Sequence, residues 1–481
     1  LQDREQKTQA CVAIIGMAFF WVYFRYQTFF QVLYPNTTSG SETYDITLYL
    51  SVLLILLVLC FVSLRLSPRI ETAIERTPLI IMVSGCAGSI GAAFALIANT
   101  GFDSVVLYWL STPLVAIGFF GAYLAWARYF SASFNAKMIT VLAVSYLLGL
   151  IVFSALGYVP YLKSVIAFIA PFCTCLCWFM LPRIEQADKQ AVGMNVLPLL
   201  KKTDPYVLLF IAFLLAGSIV RGIVDIRGGS ADIRWPLSMV MAAAVLVVCL
   251  LYQKGRFFQG KSARPDDYMS VEGMVLKCWI ALALCFFCGA FVCLLGGTYS
   301  IGGQVVVISR SMLDFFLWVL LCNMIKYKKL PFLPVFVVCS ILVETISWLI
   351  SYALTPRLLM IGDGGRMPTS DILVLTIVFA LLVLIIAFFG AVTLRSALNG
   401  ATSQSPNAPL DPESWRHVAE AHHLTMREIE VVGLFSQGHS IKKVASTLFI
   451  STSTAQSHIK SAYRKLDVHT RDELIEKLGN R

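Results

Sequence analysis

Long apolar runs, each about the length of a bilayer-crossing helix, follow one another from the start of the chain to about residue 394 and then stop. A hydrocarbon core takes roughly 20 apolar residues per helical crossing. Twelve runs meet that length, near 11–34, 46–66, 78–99, 103–127, 138–158, 161–181, 205–225, 235–253, 272–296, 302–325, 332–354 and 370–394. The third and fourth lie so close that a tight hairpin must join them. A longer polar segment, 182–204, parts the first six from the last six. Beyond 415 the pattern changes to short amphipathic stretches with helical spacing. The chain therefore reads as all-α: a twelve-helix transmembrane bundle over 1–395 in halves 1–181 and 205–395, a linker at 396–414, and a small four-helix domain at 415–481.

Composition agrees, since 58% hydrophobic and 14% charged residues with a mean hydropathy of +0.75 do not describe a soluble globule. The first run is too long for a signal-peptide core and is expected to be retained. Lys and Arg resist translocation and gather in cytoplasmic loops. With the amino terminus inside, that side collects Arg65, Arg69, Arg76, Arg128, Lys201, Lys202, Lys254, Arg256, Lys326, Lys328 and Lys329, among others. The opposite loops receive Lys163, Arg227, Arg234, Arg357 and Arg366. An even number of crossings then returns the carboxyl terminus to the cytoplasm, so the expected location is a bacterial cytoplasmic membrane. All 13 Cys fall between Cys11 and Cys339 and read as small apolar packing residues. Cys173, Cys175 and Cys177, or Cys285 and Cys288, have no His or carboxylate cluster beside them that would make a metal site.

The six-plus-six layout resembles the major facilitator fold, whose halves are related by a pseudo-two-fold axis. That family usually carries a glycine- and aspartate-containing signature between its second and third spans. Here the loop from Leu66 to Arg76 places neither residue as the signature requires. The resemblance therefore implies the fold more than the transport machinery.

Ionisable residues within spans are costly, at roughly 2.5–3.5 kcal/mol even on lenient insertion scales, and so mark candidate sites. Arg25 lies in span one, Arg221 in span seven, Arg310 and Asp314 in span ten, and Glu344 in span eleven. If the halves correspond, spans one, four, seven and ten line a central cavity, with Arg25 facing Arg221. Tyr108, Trp109, Tyr123 and Trp126 of span four would supply aromatic walls. Paired guanidinium groups suit a carboxylate or phenolate, so an anionic or aromatic small molecule is the expected ligand. The alternative is structural: Arg221 with Asp225, and Arg310 with Asp314, stand four apart on a helix and neutralise each other, while Arg25 pairs with Glu344.

The tail is punctuated by capping signals. Asp411-Pro412 has the form of an N-cap followed by proline at the first helical position, opening a short helix through Trp415, Val418 and Ala419. Thr425 and Glu428 form a capping box, and Ser440, Ser451 and Thr470 stand where later helices should begin. The short turn between the helices begun by Ser440 and Ser451 predicts a helix-turn-helix whose second helix reads DNA. Between residues 440 and 466 there are Lys and Arg but no Asp or Glu, which suits a phosphate backbone.

Leu424-Thr425, Arg427-Glu428, Glu430-Val431, Gly438, Ser440, Ile450-Ser451, Thr454, His458, Lys465-Leu466, Val468, Arg471 and Glu473-Leu474 together closely resemble the carboxyl-terminal DNA-binding domain of the LuxR family. The resemblance implies base contacts from Gln456, Ser457 and Lys460, with Thr454, Arg464, Lys442 and Lys443 near phosphates. Gln456 departs from the usual lysine and offers an amide pair suited to adenine; Lys443 stands where a Glu is common. Glu430 and Arg471 are expected to form an ion pair. The family acts as dimers on inverted repeats of double-stranded DNA, and Leu474, Ile475 and Leu478 are the candidate dimer contacts. The implied protein is no enzyme and needs no cofactor: it is a membrane-bound one-component transcriptional regulator, a homodimer on DNA, whose other partners are a small-molecule inducer and the lipid bilayer. Two alternatives stand beside it, a transporter with a regulatory tail and a regulator answering a partner membrane protein or lipid.

Overall fold

A computed structural model describes residues 2–25, 32–34, 46–102, 105–156, 159–182, 203–227, 234–254, 268–296, 301–361, 369–402, 422–436, 440–448, 450–470 and 473–474. Among them there is helix and no strand. The chain divides into two compact units, Leu1–Val383 and Leu384–Arg481.

In the first unit α1 (Gln2–Arg25) is followed by α2 (Ile46–Arg65), the short α3 (Ser67–Arg76), α4 (Leu79–Ile97), α5 (Val105–Ser133), α6 (Ala136–Leu156) and α7 (Pro160–Met180). The second half holds α8 (Pro205–Arg227), α9 (Arg234–Gln253), α10 (Tyr268–Gly296), α11 (Ile301–Lys328) and α12, a continuous run over 332–361. The last is α13 (Thr369–Thr402), which crosses the division between the units. Eleven helices among the described residues are long and apolar enough to cross a membrane, which points to a multi-pass membrane protein. They are α2 and α4–α13; α1, the helix of the first expected span, whose opening turns carry Asp3, Arg4, Glu5 and Lys7, is not among these eleven.

α3 is the amphipathic exception, lying in the loop where the transporter signature would stand and burying Ser67, Glu71 and Ile74. Proline at its second position suits a helix start, where the missing N–H is no loss.

Part of the packing of the spans repeats when six is added to each span number, although the contacts of span six on spans one and three have no comparable counterpart at span twelve among the described residues. Span three packs on four as nine packs on ten; one packs on five as seven on eleven; two packs on four as eight on ten. Between the halves, span five lies against eight and span two against eleven, and each pair converts into the other under the same shift. Span ten is the most enclosed, with 89% of its apolar window buried, against 11% for the last span.

Close approach sets the α4–α5 contact. A Cβ on Gly118 would lie 2.4 Å from the Cα of Gly88, so the two backbones touch where the sequence has no side chains. α12 contains two π-helical turns, Val337–Ile341 and Ile350–Leu354, on either side of the stretch that carries Glu344. Such turns insert a residue into the helical ladder and recur at functional positions.

Where spans one, four and ten were expected to leave a central cavity, an aromatic cluster fills the space. Tyr123 and Trp318 rings lie 4.9 Å apart, Phe20 and Tyr123 5.6 Å, and Trp318 and Phe336 5.0 Å. Trp318 Nε1 donates to the Tyr123 hydroxyl at 2.7 Å, as a buried indole N–H requires.

The second unit contains α14 (Met426–Ser436), α15 (Ile441–Thr447) and α16 (Thr452–Leu466), packed pairwise. Val432, Ala462, Leu466, Val468 and Leu474 form one core cluster, and Val431, Val444 and Ile459 another. α13 runs through residues 396–402, which the sequence assigned to a linker. The helix expected through Trp415 and Ala419 lies outside the described residues.

Candidate DNA-reading site and membrane polar network

Each helix of the tail starts where a side chain relieves its unpaired N–H groups. The Thr425 N–H donates to Glu428 Oε2 at 2.7 Å and the Glu428 N–H to Thr425 Oγ1 at 3.3 Å, a reciprocal capping box. Ser440 accepts from the Lys443 N–H at 3.3 Å and Ser451 from the Thr454 N–H at 3.0 Å. The Glu473 N–H donates to Thr470 Oγ1 at 3.2 Å. α16 ends at Asp467 in the left-handed region, φ 54°.

Ala455, Ile459, Ala462 and Leu466 turn one face of α16 into the core. That fixes the opposite face outward, and Thr454, Gln456, Ser457, Lys460 and Arg464 are all exposed. Gln456, Lys460 and Arg464 stand at four-residue spacing and share a stripe. Lys443 on α15 is exposed as well. Lys442 sits on α15, but its side chain lies outside the described residues.

A contact not foreseen from the sequence, between Lys465 and Glu428, holds this helix in place. Lys465 donates from Nζ to Glu428 Oε2 at 2.8 Å and to the His423 carbonyl at 3.0 Å, tying α16 to α14. Burial alone would raise the Glu428 carboxyl, but hydrogen bonds from Lys465, Ser461 and Thr425 hold it down at about 2. Lys465 is thus spent inside the domain. Glu430 pairs with Arg427 at 2.6 Å, and its expected partner Arg471 lies outside the described residues. Of the candidate dimer contacts, Leu474 is fully buried in the domain's own core; Ile475 and Leu478 lie outside the described residues.

In the membrane-spanning unit the candidates part company. Arg310 and Asp314 pair at 3.4 Å with 1% and 2% of their side chains exposed, and Arg310 also donates to Ser218 Oγ at 3.2 Å, joining α11 to α8. Tyr123 sits in the aromatic cluster. Trp126 donates to Thr174 Oγ1 at 2.8 Å, and that hydroxyl donates to the Gly16 carbonyl at 2.7 Å, so its polar edge is taken up between α1 and α7. Glu344 is buried on α12. The side chain of Arg25 lies outside the described residues.

Arg221 belongs to a network. Its guanidinium donates from Nη2 to the Tyr352 hydroxyl at 3.0 Å, while its Nε stands 3.6 Å from Asp225 Oδ2. Asp225 accepts from Arg234 Nη2 at 2.9 Å and from the Tyr352 hydroxyl at 3.3 Å, and Arg234 Nε also reaches Gln304 Oε1. Glu344 and Tyr49 act electrostatically on Arg221 as well. A cavity of about 40 Å³ adjoins this network, lined by Arg221, Arg234, Ser238, Ser311, Tyr146 and Trp235 among others. Arg234, read from sequence as an outer-loop charge, is the first residue of α9. The signal available was its opposite charge to Asp225 across a short loop.

A profile of the bacterial regulatory proteins of the luxR family matches residues 422–478. The spore germination protein GerE of Bacillus subtilis (strain 168) is 44% identical over 55 residues, which is 11% of this chain and 74% of that protein. LuxR-type domains bind DNA, often as dimers. Through this carboxyl-terminal domain the chain belongs to the luxR family of bacterial regulatory proteins.

Proposed function

We propose that the protein is a membrane-bound one-component transcriptional regulator: residues 1–395 sense a small anionic or aromatic molecule, and the domain at 415–481 carries the response to DNA. The observation that carries this reading is the presence, on one chain, of a luxR-family DNA-binding domain and eleven helices fit to cross a bilayer. The partial six-span repeat in the packing favours a major-facilitator-like sensor, and the distribution of Lys and Arg among the loops favours both termini in the cytoplasm. Gln456, Ser457 and Lys460 read base edges, while Thr454, Arg464, Lys442 and Lys443 hold phosphates. Two copies bind an inverted repeat, with Ile475 and Leu478 at their contact. Ligand binding shifts an equilibrium between arrangements that permit and forbid this pairing, and typical coupling of about 1–3 kcal/mol suffices for a switch.

The test is genome-wide DNA footprinting of the full-length protein in cells, with Lys460→Ala beside it. Occupancy of discrete palindromic sites, lost in the variant, is expected; absence of any discrete site overturns the regulatory reading. The same six-span repeat supports a second reading, a transporter with a regulatory tail, which uptake into vesicles carrying the protein would establish.

A further inference from the structure

We propose that the cavity beside Arg221 and Arg234 is an anion subsite that takes the carboxylate of a small organic acid in competition with Asp225. The proposal rests on the ligand-sensing reading above and specifies its chemistry. Two guanidinium groups converge here on one side-chain carboxylate, and their engagement is unequal. Arg234 makes a 2.9 Å bond to Asp225 Oδ1, whereas Arg221 Nε, at 3.6 Å from Oδ2, has no hydrogen-bond acceptor among the described residues. A guanidinium fork is shaped for two oxygens of one carboxylate. That of Arg221 spends its Nη2 arm on the Tyr352 hydroxyl and leaves the Nε arm unfilled.

The cavity opens against these same two arginines and is walled by the Ser238 and Ser311 side chains and by the rings of Tyr146 and Trp235. At about 40 Å³ it has room for about three waters, enough to seat a carboxylate group. Both serine hydroxyls donate to carbonyls of their own helices, Ser238 to Arg234 and Ser311 to Val307. The charged hydrogen-bond donors facing an occupant are therefore the two guanidinium groups, with the Tyr146 hydroxyl and Trp235 indole N–H as neutral neighbours in the wall, and the occupant this charge selects is an acceptor of negative charge. Asp225, four residues from Arg221 on α8, acts as the tethered competitor that holds the arginines while the site is empty of ligand.

Position gives the subsite a lever. Tyr146 belongs to span five of the first half, whereas Arg221, Arg234, Trp235 and Ser311 come from spans seven, eight and ten of the second. Span five against span eight is one of the two contacts between halves that exchange under the six-span shift. An anion held there bears on both halves at once.

The experiment uses the full-length protein in lipid nanodiscs, titrated with propionate and benzoate and with propionamide and benzamide as neutral counterparts, read by thermal shift and tryptophan fluorescence. Both acids are expected to bind and both amides to fail. Arg234→Gln should weaken acid binding about tenfold or more, and Asp225→Asn should strengthen it by a similar factor. The Asn variant keeps shape and hydrogen bonding, so it guards against reading a folding defect in the Arg variant as loss of the site. Equal binding of amides and acids, no binding of either acid, or weaker acid binding in Asp225→Asn overturns the proposal. DNA occupancy is measured in the same samples: acid binding without any change in occupancy keeps the subsite and counts against the sensing reading. A neutral compound that changes occupancy does the reverse.

Discussion

Lys465 on the recognition helix donates to Glu428 at the start of α14, 2.8 Å away, although Glu428 is almost wholly buried and also closes its own helix's capping box. One carboxylate thus terminates a helix and anchors the DNA-reading helix. A lysine that the charge count assigns to the phosphate-facing surface is committed to the interior.

Lys465→Met is therefore expected to destabilise the DNA-binding unit by about 1–3 kcal/mol, the cost of leaving a buried acceptor unpaired. The salt dependence of DNA binding should stay unchanged. Chemical unfolding monitored in the full chain, paired with a salt titration, checks both. The Glu428 carboxyl is held at about 2, below its unfolded value of about 4.3. Its contribution is full above the unfolded value and is lost as pH falls toward 2; in Lys465→Met the contribution, and so the loss across this window, should be smaller.

Lys460→Ala should weaken binding across all sequences and reduce the slope of log affinity against log salt by about 1. Gln456→Lys should instead move preference from adenine toward guanine at one position of each half-site, by about 1–3 kcal/mol. Selection of bound sequences from a random pool separates the two. Equal, sequence-independent losses for both would remove Gln456 from the reading face.

At the foot of the membrane unit, Glu71 of α3 accepts from the Leu333 N–H at 3.2 Å, at the start of α12. Beside it Arg128 pairs with Glu75 at 2.8 Å and lies 5.4 Å from the centre of the Phe332 ring. Burial pushes the Glu71 carboxyl up to about 7, against the lowering effects of the Leu333 N–H and Arg128. A raised value means that burying Glu71 costs least at low pH, and the folded state loses that advantage as pH rises to about 7. Thermal unfolding in nanodiscs should show stability falling across the window from about 4.3 to about 7, and Glu71→Gln should flatten it. An unchanged slope in the variant would assign the effect elsewhere.

The buried pair Arg310 and Asp314 offers a different test. Arg310→Ala alone leaves an uncompensated charge and should cost about 3–5 kcal/mol, while Arg310→Met with Asp314→Leu should recover most of it. Recovery of stability together with full ligand response would mark the pair as structural.

The tail was legible in the sequence because its signals are local. Thr425, Ser440 and Ser451 each act within three residues of themselves and cap the helix expected of them, and Thr470 accepts from the Glu473 N–H in the same way, the helix expected there lying mostly outside the described residues. The existence of spans was equally plain, since it depends on composition and length. Which face each span buries was not. A membrane helix is apolar all round, so no periodicity distinguishes the side that meets a neighbour from the side that meets lipid. Placing Arg221 opposite Arg25 relied on the correspondence of halves alone, and the described partners of Arg221 are Asp225 and Tyr352, with Arg234 sharing the same carboxylate. The π-helical turns around Glu344 had no sequence signal, because they are set by what α12 packs against.

The α5–α11 contact has a property that no other contact between the halves named above shares. Shifting span four by six gives span ten, and shifting ten returns four, so the pair maps onto itself. In a two-fold arrangement such a contact sits on the axis, and Tyr123 and Trp318 are its aromatic members. Atoms on an axis of rotation travel least when the halves turn. Tyr123, which the sequence offered as a ligand's wall, shares this place with Trp318, and if the halves turn about such an axis, substitutions at the pair are expected to change how readily they pivot.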